Sequence, residues 1–203
     1  MKEMRTIPIG KLLRADNRQF VAGCRVKELE TPALGALVKV ILQDKSEVYG
    51  LITRISINDD GLVRQLASGV SIPPEYTADN RQNRNLPVEI EVLTVGFARE
   101  GHLFHQLPPR PPLSLDLLYL CDDDELVRFS KHGKNQAYLR HILRLTDMPV
   151  EEVLISHLSQ ARRAHEATGN HSWYREACER LIILLRDDYT RLSTILDALS
   201  AME

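Results

Sequence analysis

The chain has 203 residues, of which 43% are hydrophobic and 27% are charged, and its formal net charge is −2 at pH 7. This composition is ordinary for a folded globular protein, and it excludes a strongly basic nucleic-acid-binding domain. Apolar runs stay well short of the roughly 20 residues that a membrane span needs, and the N-terminal MKEMRTIPIG has charges where a signal peptide has its apolar core. We therefore expect a cytoplasmic protein without membrane contact.

The three cysteines, Cys24, Cys121 and Cys178, are widely spaced and contain no CxxC pair. An odd number of isolated cysteines is typical of small thiols that fill space in the core of a protein from a reducing compartment.

Residues 1–130 are dominated by predicted strands that are joined by turns. Runs rich in Val, Ile and Thr and bounded by turn residues are typical of β-hairpins. These runs are IGKLLRAD, QFVAGCRV, ALVKVIL, EVYGLITRISI, VEIEVLTVGFA and HLFHQL. In VEIEVLTV, Val88, Ile90 and Val92 alternate with two glutamates, which indicates a sheet with one wet face. About six short antiparallel strands with edges to be closed predict a small closed β-barrel.

Two glycines and one polar segment interrupt the strand pattern. Gly35 and Gly50 lie beside or within strands, where a barrel needs tight bends or bulges. Residues 61–86 include SIPPEYTADNRQNRN, which is polar and turn-rich and predicts a surface loop. Arg81 and Arg84 in this loop are candidate contacts to an anionic partner, although a solvated loop is the favoured interpretation because turns recruit Asn and Asp for backbone reasons.

A proline-rich segment, HQLPPRPPLSLDLLYLC, occupies residues 105–121. Its four prolines, Pro108, Pro109, Pro111 and Pro112, force an extended path without backbone donors. They lead directly into LDLLYL, which we interpret as a closing strand of the same barrel and not as the start of a new domain. The domain boundary therefore falls at about residue 130, and Arg110, held between rigid neighbours, becomes a candidate contact on the barrel rim.

An acidic run, Asp122 to Glu125, follows this strand. Such a cluster is able to hold a hard cation. The favoured interpretation is that it caps the short helix ELVRF, because carboxylates stabilise the N-terminus of a helix.

Residues 131–203 are dominated by helical periodicity. NQAYLRHILRL predicts one helix, and a second begins near Thr146, Asp147 and Pro149 and ends at Gly169. From residue 172 to 202 there is no Gly or Pro, and Asp187 and Asp188 interrupt the apolar stripe, so this region is either one long helix or two. The sequence leaves open whether these helices form a small bundle or a projecting arm. Trp173 is expected to be a packing anchor between helices.

Three strings resemble catalytic motifs but do not satisfy them. SKHGKNQA lacks the first glycine and the Ser or Thr of a phosphate loop. HEATGNH has Gly169 where a zinc-protease motif needs its second histidine. HLFH places His102 and His105 three residues apart in a predicted strand, so their side chains are expected to point to opposite faces.

The strand series resembles the HAS barrel, the small N-terminal β-barrel shared by HerA-type DNA-translocating ATPases and the catalytic subunits of ATP synthases. The matching strings are IGKLLRADNRQFVAG, LGALVKVILQDKSEVYGLITRI, VEIEVLTVGF and PPRPPLSLDLLYLCDDDELVRF, within residues 6–130. The residues that fit the family pattern are Gly35, Val38, Lys39, Val40, Tyr49, Gly50, Pro108, Pro109, Arg110, Pro111 and Pro112.

The resemblance implies an assembly role, because in these ATPases the barrel packs against its neighbours in a ring and offers a docking surface to partners. HerA-type proteins carry an ATPase domain after the barrel, whereas a helical region follows here, so no nucleotide or magnesium site is carried over. We expect a non-catalytic assembly or adaptor protein without a cofactor, which binds a protein partner such as an ATPase or nuclease, or a second copy of itself.

Two alternatives belong to other classes of function. One is a nucleic-acid-binding barrel that uses Arg81, Arg84 and Arg110 on one rim, which the net charge does not favour. The remote one is a divalent-metal-dependent hydrolase or nuclease that uses the acidic run at 122–125.

Overall fold

The structure is a computed structural model that describes residues 8–26, 32–57, 86–131, 133, 136–145 and 149–201. The loop predicted at 61–86 lies outside the described residues except for its last residue, and so do Arg81 and Arg84. The predicted capping residues Thr146 and Asp147 lie outside them as well.

Seven strands form one antiparallel sheet. They are β1 (Pro8–Ala15), β2 (Gln19–Val26), β3 (Leu37–Ile41), β4 (Glu47–Ile57), β5 (Leu86–Arg99), β6 (His102–Phe104) and β7 (Leu117–Leu120). The order β2-β1-β7-β3-β4-β5 is closed by pairing of β2 with β5, and β6 adds to β5 outside the ring. The predicted closed barrel of about six antiparallel strands is therefore confirmed.

The barrel interior is filled by alternate residues of the six ring strands. The predicted alternation in β5 is confirmed, since Val88, Ile90 and Val92 are buried inside while Glu89 and Glu91 are half-exposed. The buried members of this interior core are Leu12, Phe20, Ala22, Cys24, Ala36, Val38, Val40, Val48, Ile52, Val88, Ile90, Val92 and Leu118. All three cysteines are free thiols.

The proline-rich segment is part of the barrel, as predicted. Pro108 and Pro112 are buried, and the Pro108 carbonyl accepts a hydrogen bond from the Asn17 side chain at 2.8 Å. The segment then enters β7, which pairs with both β1 and β3 and so closes one side of the ring. A flexible linker would make no such contacts.

Within the described residues, five helices follow the barrel. They are α1 (Asp123–Lys131), α2 (Leu139–Leu143), α3 (Val150–Ala167), α4 (Trp173–Leu184) and α5 (Tyr189–Ala201). The C-terminal stretch is thus two helices, broken near Asp187 and Asp188. The predicted end of α3 is confirmed, because Gly169 adopts a left-handed φ of 79° and its N–H donates to the Glu166 carbonyl at 3.0 Å.

The helices form a bundle that packs on the outside of the barrel, and not a projecting arm. A second core joins outward-facing residues of β3, β4 and β5 to the helices. Its barrel members are Leu37, Tyr49, Leu51, Leu93 and Val95. Trp173 is fully buried in this core and stacks on His165 with ring centroids 4.3 Å apart, which confirms it as a packing anchor. We call the outer surface of β3–β5 the helix-covered face.

The predicted bend or bulge is found at both glycines, since Gly50 lies at a register shift and Gly35 has a positive φ, and both also permit close approaches. A Cβ at Gly50 would lie 2.3 Å from Val92 Cγ1, at a point where the register of β4 and β5 shifts. Gly35 has a φ of +73°, and a Cβ there would lie 2.6 Å from the backbone nitrogen of His157. Helix α3 therefore rests directly on the backbone of the barrel at Gly35.

The side chain of His157 fastens α3 to the barrel. Its Nδ1 lies 3.0 Å from the Gly35 carbonyl, which can only accept, so Nδ1 carries the proton. Its Nε2 then accepts from the Tyr138 hydroxyl at 3.0 Å. Complete burial lowers the pKa of His157 from 6.5 to about 4, although the hydrogen bond to Gly35 opposes this effect. The neutral imidazole is thus the form that holds the helices in place.

Candidate functional site

The helix-covered face contains a buried ion-pair network. Lys39 is 5% exposed, and its ammonium contacts Glu125 on α1 and lies 3.0 Å from Glu47 Oε1 on β4. Burial alone would lower the pKa of Lys39, but the hydrogen bonds to the two carboxylates raise it. This network ties α1 to the barrel wall and is part of the scaffold.

Residues of the acidic run at 122–125 are part of this scaffold. The Asp122 carboxylate accepts from the Glu125 backbone N–H at 2.8 Å, so the favoured interpretation as a helix cap is confirmed. Within the described ranges, no group of three or more His, Cys, Asp or Glu residues is arranged to hold a metal ion. His102 and His105 lie in different environments, as predicted, since the first is exposed and the second is buried.

Whereas outward side chains are buried on the helix-covered face, they are exposed on the outside of β1 and β7. Backbone contacts place four exposed leucines on adjoining segments: the Leu115 N–H donates to the Leu12 carbonyl at 2.8 Å, and Lys11 of β1 pairs with Leu117 of β7. The leucines and their exposed fractions are Leu13 (47%), Leu113 (60%), Leu115 (72%) and Leu117 (36%). We call these four residues the leucine surface.

The turn that carries Leu113 and Leu115 is hydrogen-bonded and strained. Leu115 has a φ of 72°, a left-handed conformation that bulky residues rarely adopt. Besides the bond from the Leu115 N–H, three hydrogen bonds hold it: Ser114 Oγ donates to the Leu13 carbonyl at 3.1 Å, and the Asp116 carboxylate and backbone close the turn onto Leu113 at 2.8 and 3.2 Å. The fold therefore maintains an exposed leucine at an energetic cost of about 1–3 kcal/mol.

The cations and the carboxylates around the leucine surface differ in their surroundings. Lys11 and Arg14 of β1 are exposed. Asp116 accepts from Leu113, and the Asp16 carboxylate accepts from the backbone N–H groups of Arg18 and Gln19 at 2.6 and 2.9 Å. The carboxylates thus satisfy local backbone groups, whereas both cations are exposed.

The predicted rim residue Arg110 is exposed and lies beside a different feature. It lines a cavity of about 290 Å³ with Arg99 of β5, Asp44 and the buried Pro108. The structure therefore places Arg110 on the same cavity as a second arginine that the sequence reasoning did not select. Because Arg81 and Arg84 lie outside the described residues, their expected position on the same rim stays a prediction.

Sequence reasoning also missed the leucine surface and the Lys39 network. A single lysine inside the apolar run LVKVI was the one available signal for a buried ion pair. The leucine surface had no such signal, because its members look like ordinary strand residues, and a register irregularity between Leu12 and Arg14 changes which side chains face outward.

These features define a small closed antiparallel barrel that is covered by a helical bundle on one side and exposes leucines on another. No protein-family model matches the chain, and a search of curated proteins finds no match either. None of the described helices is both long and apolar enough to cross a bilayer.

Proposed function

We propose that this chain is a non-catalytic, HAS-barrel-like assembly or adaptor protein that binds another protein through the leucine surface. The observation that carries the proposal is the cluster of four exposed leucines on a part of the barrel that the helical bundle leaves open. Contiguous exposed apolar surface on a folded domain marks interaction sites.

The strain at Leu115 supports the same role. A left-handed leucine is destabilising, and glycine would adopt this backbone without the cost. A leucine that is both strained and 72% exposed contributes little to the stability of the isolated chain. Its side chain is therefore best explained by a contact outside the chain.

The available charges indicate the chemistry of the partner. Lys11 and Arg14 flank the leucines, and the nearby carboxylates are occupied by backbone amides. A partner with an apolar patch bordered by Asp or Glu would complement this surface in both shape and charge. A second copy of the same surface would instead place these cations against each other.

The resemblance to the HAS barrel adds an expected setting. It implies a cytoplasmic complex in which the barrel docks on a larger ATPase or nuclease, or assembles with further copies. The proposal assigns no reaction and no cofactor to the chain.

The test is an affinity capture of the full-length chain from its native cell, read by mass spectrometry. The captured partner is then purified and titrated with the wild-type chain, with the Leu13→Ser/Leu115→Ser variant, and with Ile182→Ser/Ile183→Ser as the control. The control removes two exposed isoleucines of α4. We expect the leucine variant to bind at least tenfold more weakly and the control to bind as the wild type does. Equal binding by all three proteins would reject the leucine surface as the binding site.

A second candidate function, nucleic-acid binding, is favoured by one observation. Arg110 and Arg99 line the same cavity, so two cations are positioned to contact neighbouring phosphates. A mobility-shift titration with single- and double-stranded probes at low salt tests it. A salt-sensitive shift that weakens in Arg110→Gln and Arg99→Gln would support this candidate, and no shift at micromolar protein would remove it.

A further inference from the structure

A second cavity, of about 340 Å³, lies where α1 meets the barrel wall and shares Arg99 with the cavity beside Arg110. Its walls come from the turn after β3, the hairpin between β5 and β6, and the exposed side of α1. The volume falls at the lower end of the range of about 300–1,000 Å³ that holds small molecules. It shares no residue with the leucine surface, so the two sites are independent.

Three cationic side chains line this cavity, namely Lys45, Arg99 and Arg128. The lining also contains two carboxylates, Glu47 and Glu100, which offset the positive charge of these cations to different extents. Glu100 is 81% exposed and lies 3.5 Å from Arg99 in a surface pair of the kind that is worth less than about 1 kcal/mol. An incoming anion would compete with such a pair at little cost.

Glu47 shares the buried ammonium of Lys39 with Glu125. Its Oε1 lies 3.0 Å from the buried ammonium of Lys39, and its Oε2 accepts from the Tyr49 hydroxyl at 2.6 Å. Burial would raise the pKa of Glu47, but the hydrogen bonds from Tyr49 and Lys39 hold it below its ordinary value. The inner wall therefore holds one ammonium between two carboxylates, and with Lys45, Arg99, Arg128 and Glu100 included the cations around the cavity outnumber the carboxylates by four to three.

Arg128 is oriented by this inner wall. Its Nη2 donates to the Tyr49 oxygen at 3.1 Å, and the Tyr49 ring packs on Phe129 with centroids 5.0 Å apart. The same Nη2 lies 3.8 Å from Glu125 Oε1, and the Arg128 side chain is 62% exposed, so the guanidinium is held from the barrel side while much of its surface stays accessible. A guanidinium held in this way is suited to a bidentate contact with a carboxylate or phosphate.

The remaining wall is apolar. Leu103 and Phe104 line the cavity, and Phe104 is 38% exposed while its ring stacks on Phe97 with centroids 4.8 Å apart. An apolar or aromatic part of a ligand would be covered there while its charged group meets the arginines.

We propose that this cavity binds a small organic anion, in which a carboxylate or phosphate group is attached to an apolar or aromatic group. Arg128 and Arg99 bind the charged group, Lys45 adds to the field at the mouth, and Phe104 packs against the apolar part.

Phenyl phosphate and benzoate are the probes for this site, with inorganic phosphate and benzyl alcohol as the partial ligands. Each is titrated into the full-length chain and followed by calorimetry and NMR. We expect saturable binding of at least one aromatic anion and binding at least tenfold weaker for both partial ligands. Arg128→Gln and Arg99→Gln should each weaken binding about tenfold. Lys131→Gln, an exposed change on the same helix outside the cavity, should leave it unaltered.

Two results would overturn the proposal: no saturable binding of either aromatic anion up to about 10 mM, or binding that neither arginine variant weakens. Thermal unfolding of each variant checks its fold. If Arg128→Gln is unstable, Arg99→Gln still tests the proposal, because Arg99 is exposed and makes no contact with the Lys39 network. Neither substitution touches the leucine surface, so a failure here leaves the proposed protein-binding function to its own test.

Discussion

The helix-covered face and the leucine surface are built on strands of one barrel, yet outward side chains are buried on the first and exposed on the second. On β3–β5 the outward residues include Lys39 and Tyr49, which are buried under the helices. On β1 and β7 they include Lys11 and Leu117, which pair in the register and stay exposed. Burial by the chain itself thus explains the first face as scaffold, and we propose a contact with a partner for the second.

The two outward lysines provide the largest expected difference between the faces. Lys39→Ala leaves Glu47 and Glu125 without their shared cation under α1, and we expect a loss of about 4 kcal/mol in the free energy of unfolding. Lys11→Ala removes an exposed charge and should change it by less than about 0.5 kcal/mol. Urea unfolding measures both. Similar losses in the two variants would contradict the distinction between the faces.

The next largest loss of stability is expected when the contact between Gly35 and α3 is disrupted. Gly35→Ala combines an unfavourable left-handed alanine with a clash against the backbone of His157, and should cost about 3 kcal/mol. Gly169→Ala is the matched control, because Gly169 has the same φ sign but open space around it, so it should cost about 1 kcal/mol. Equal costs would mean that α3 does not rest on the barrel at Gly35.

Acid should loosen the helix-covered face through His157. Its pKa in the folded chain is about 4, below the ordinary value of 6.5, so its contribution is fully present above pH 6.5 and is lost as the pH falls toward 4. By linkage this amounts to about 2 kcal/mol between pH 7.5 and pH 5. His157→Gln should reduce the measured loss by that amount, while His171→Gln, at an exposed site, should leave the pH dependence unchanged. A loss that is the same in both variants would exclude His157 as its source.

The smallest expected effect concerns the leucine surface. Leu115→Gly relieves a left-handed leucine and removes an exposed side chain, so we expect the free energy of unfolding to rise by up to about 1 kcal/mol. Thermal and urea unfolding against Leu113→Gly, where no such strain is relieved, measure it. A clear destabilisation by Leu115→Gly would show that Leu115 supports the fold itself.

The sequence predicted the elements of this fold much better than the contacts between them. Strand alternation, the proline-rich approach to β7, the Asp122 cap and the break near Asp187 are local patterns, and local patterns are readable from spacing. The ion pair between Lys39 and Glu125 joins residues 86 positions apart, and the hydrogen bond from His157 to Gly35 joins residues 122 apart. Spacing along the chain does not encode such pairings.

The candidate site was predictable only in part for the same reason. Arg110 was identifiable because rigid prolines flank it, and the structure places it on the surface beside Arg99. The leucine surface depends on a bulge in β1 and on the left-handed Leu115, which together decide which apolar residues face outward. Neither feature is visible in the hydrophobic pattern.

The central claim is that the leucine surface holds this chain in a larger complex, and the native size of the protein in cell extract tests it most directly. Chains with the wild-type sequence, Leu13→Ser/Leu115→Gly and Ile182→Ser/Ile183→Ser are each expressed in place of the native protein and sized by gel filtration with immunodetection. The account predicts that the wild type and the isoleucine variant elute well above the 23.1 kDa of a single chain, whereas the leucine variant elutes near that mass. Elution of the wild type as a single chain, or of all three proteins in the same large complex, would contradict it.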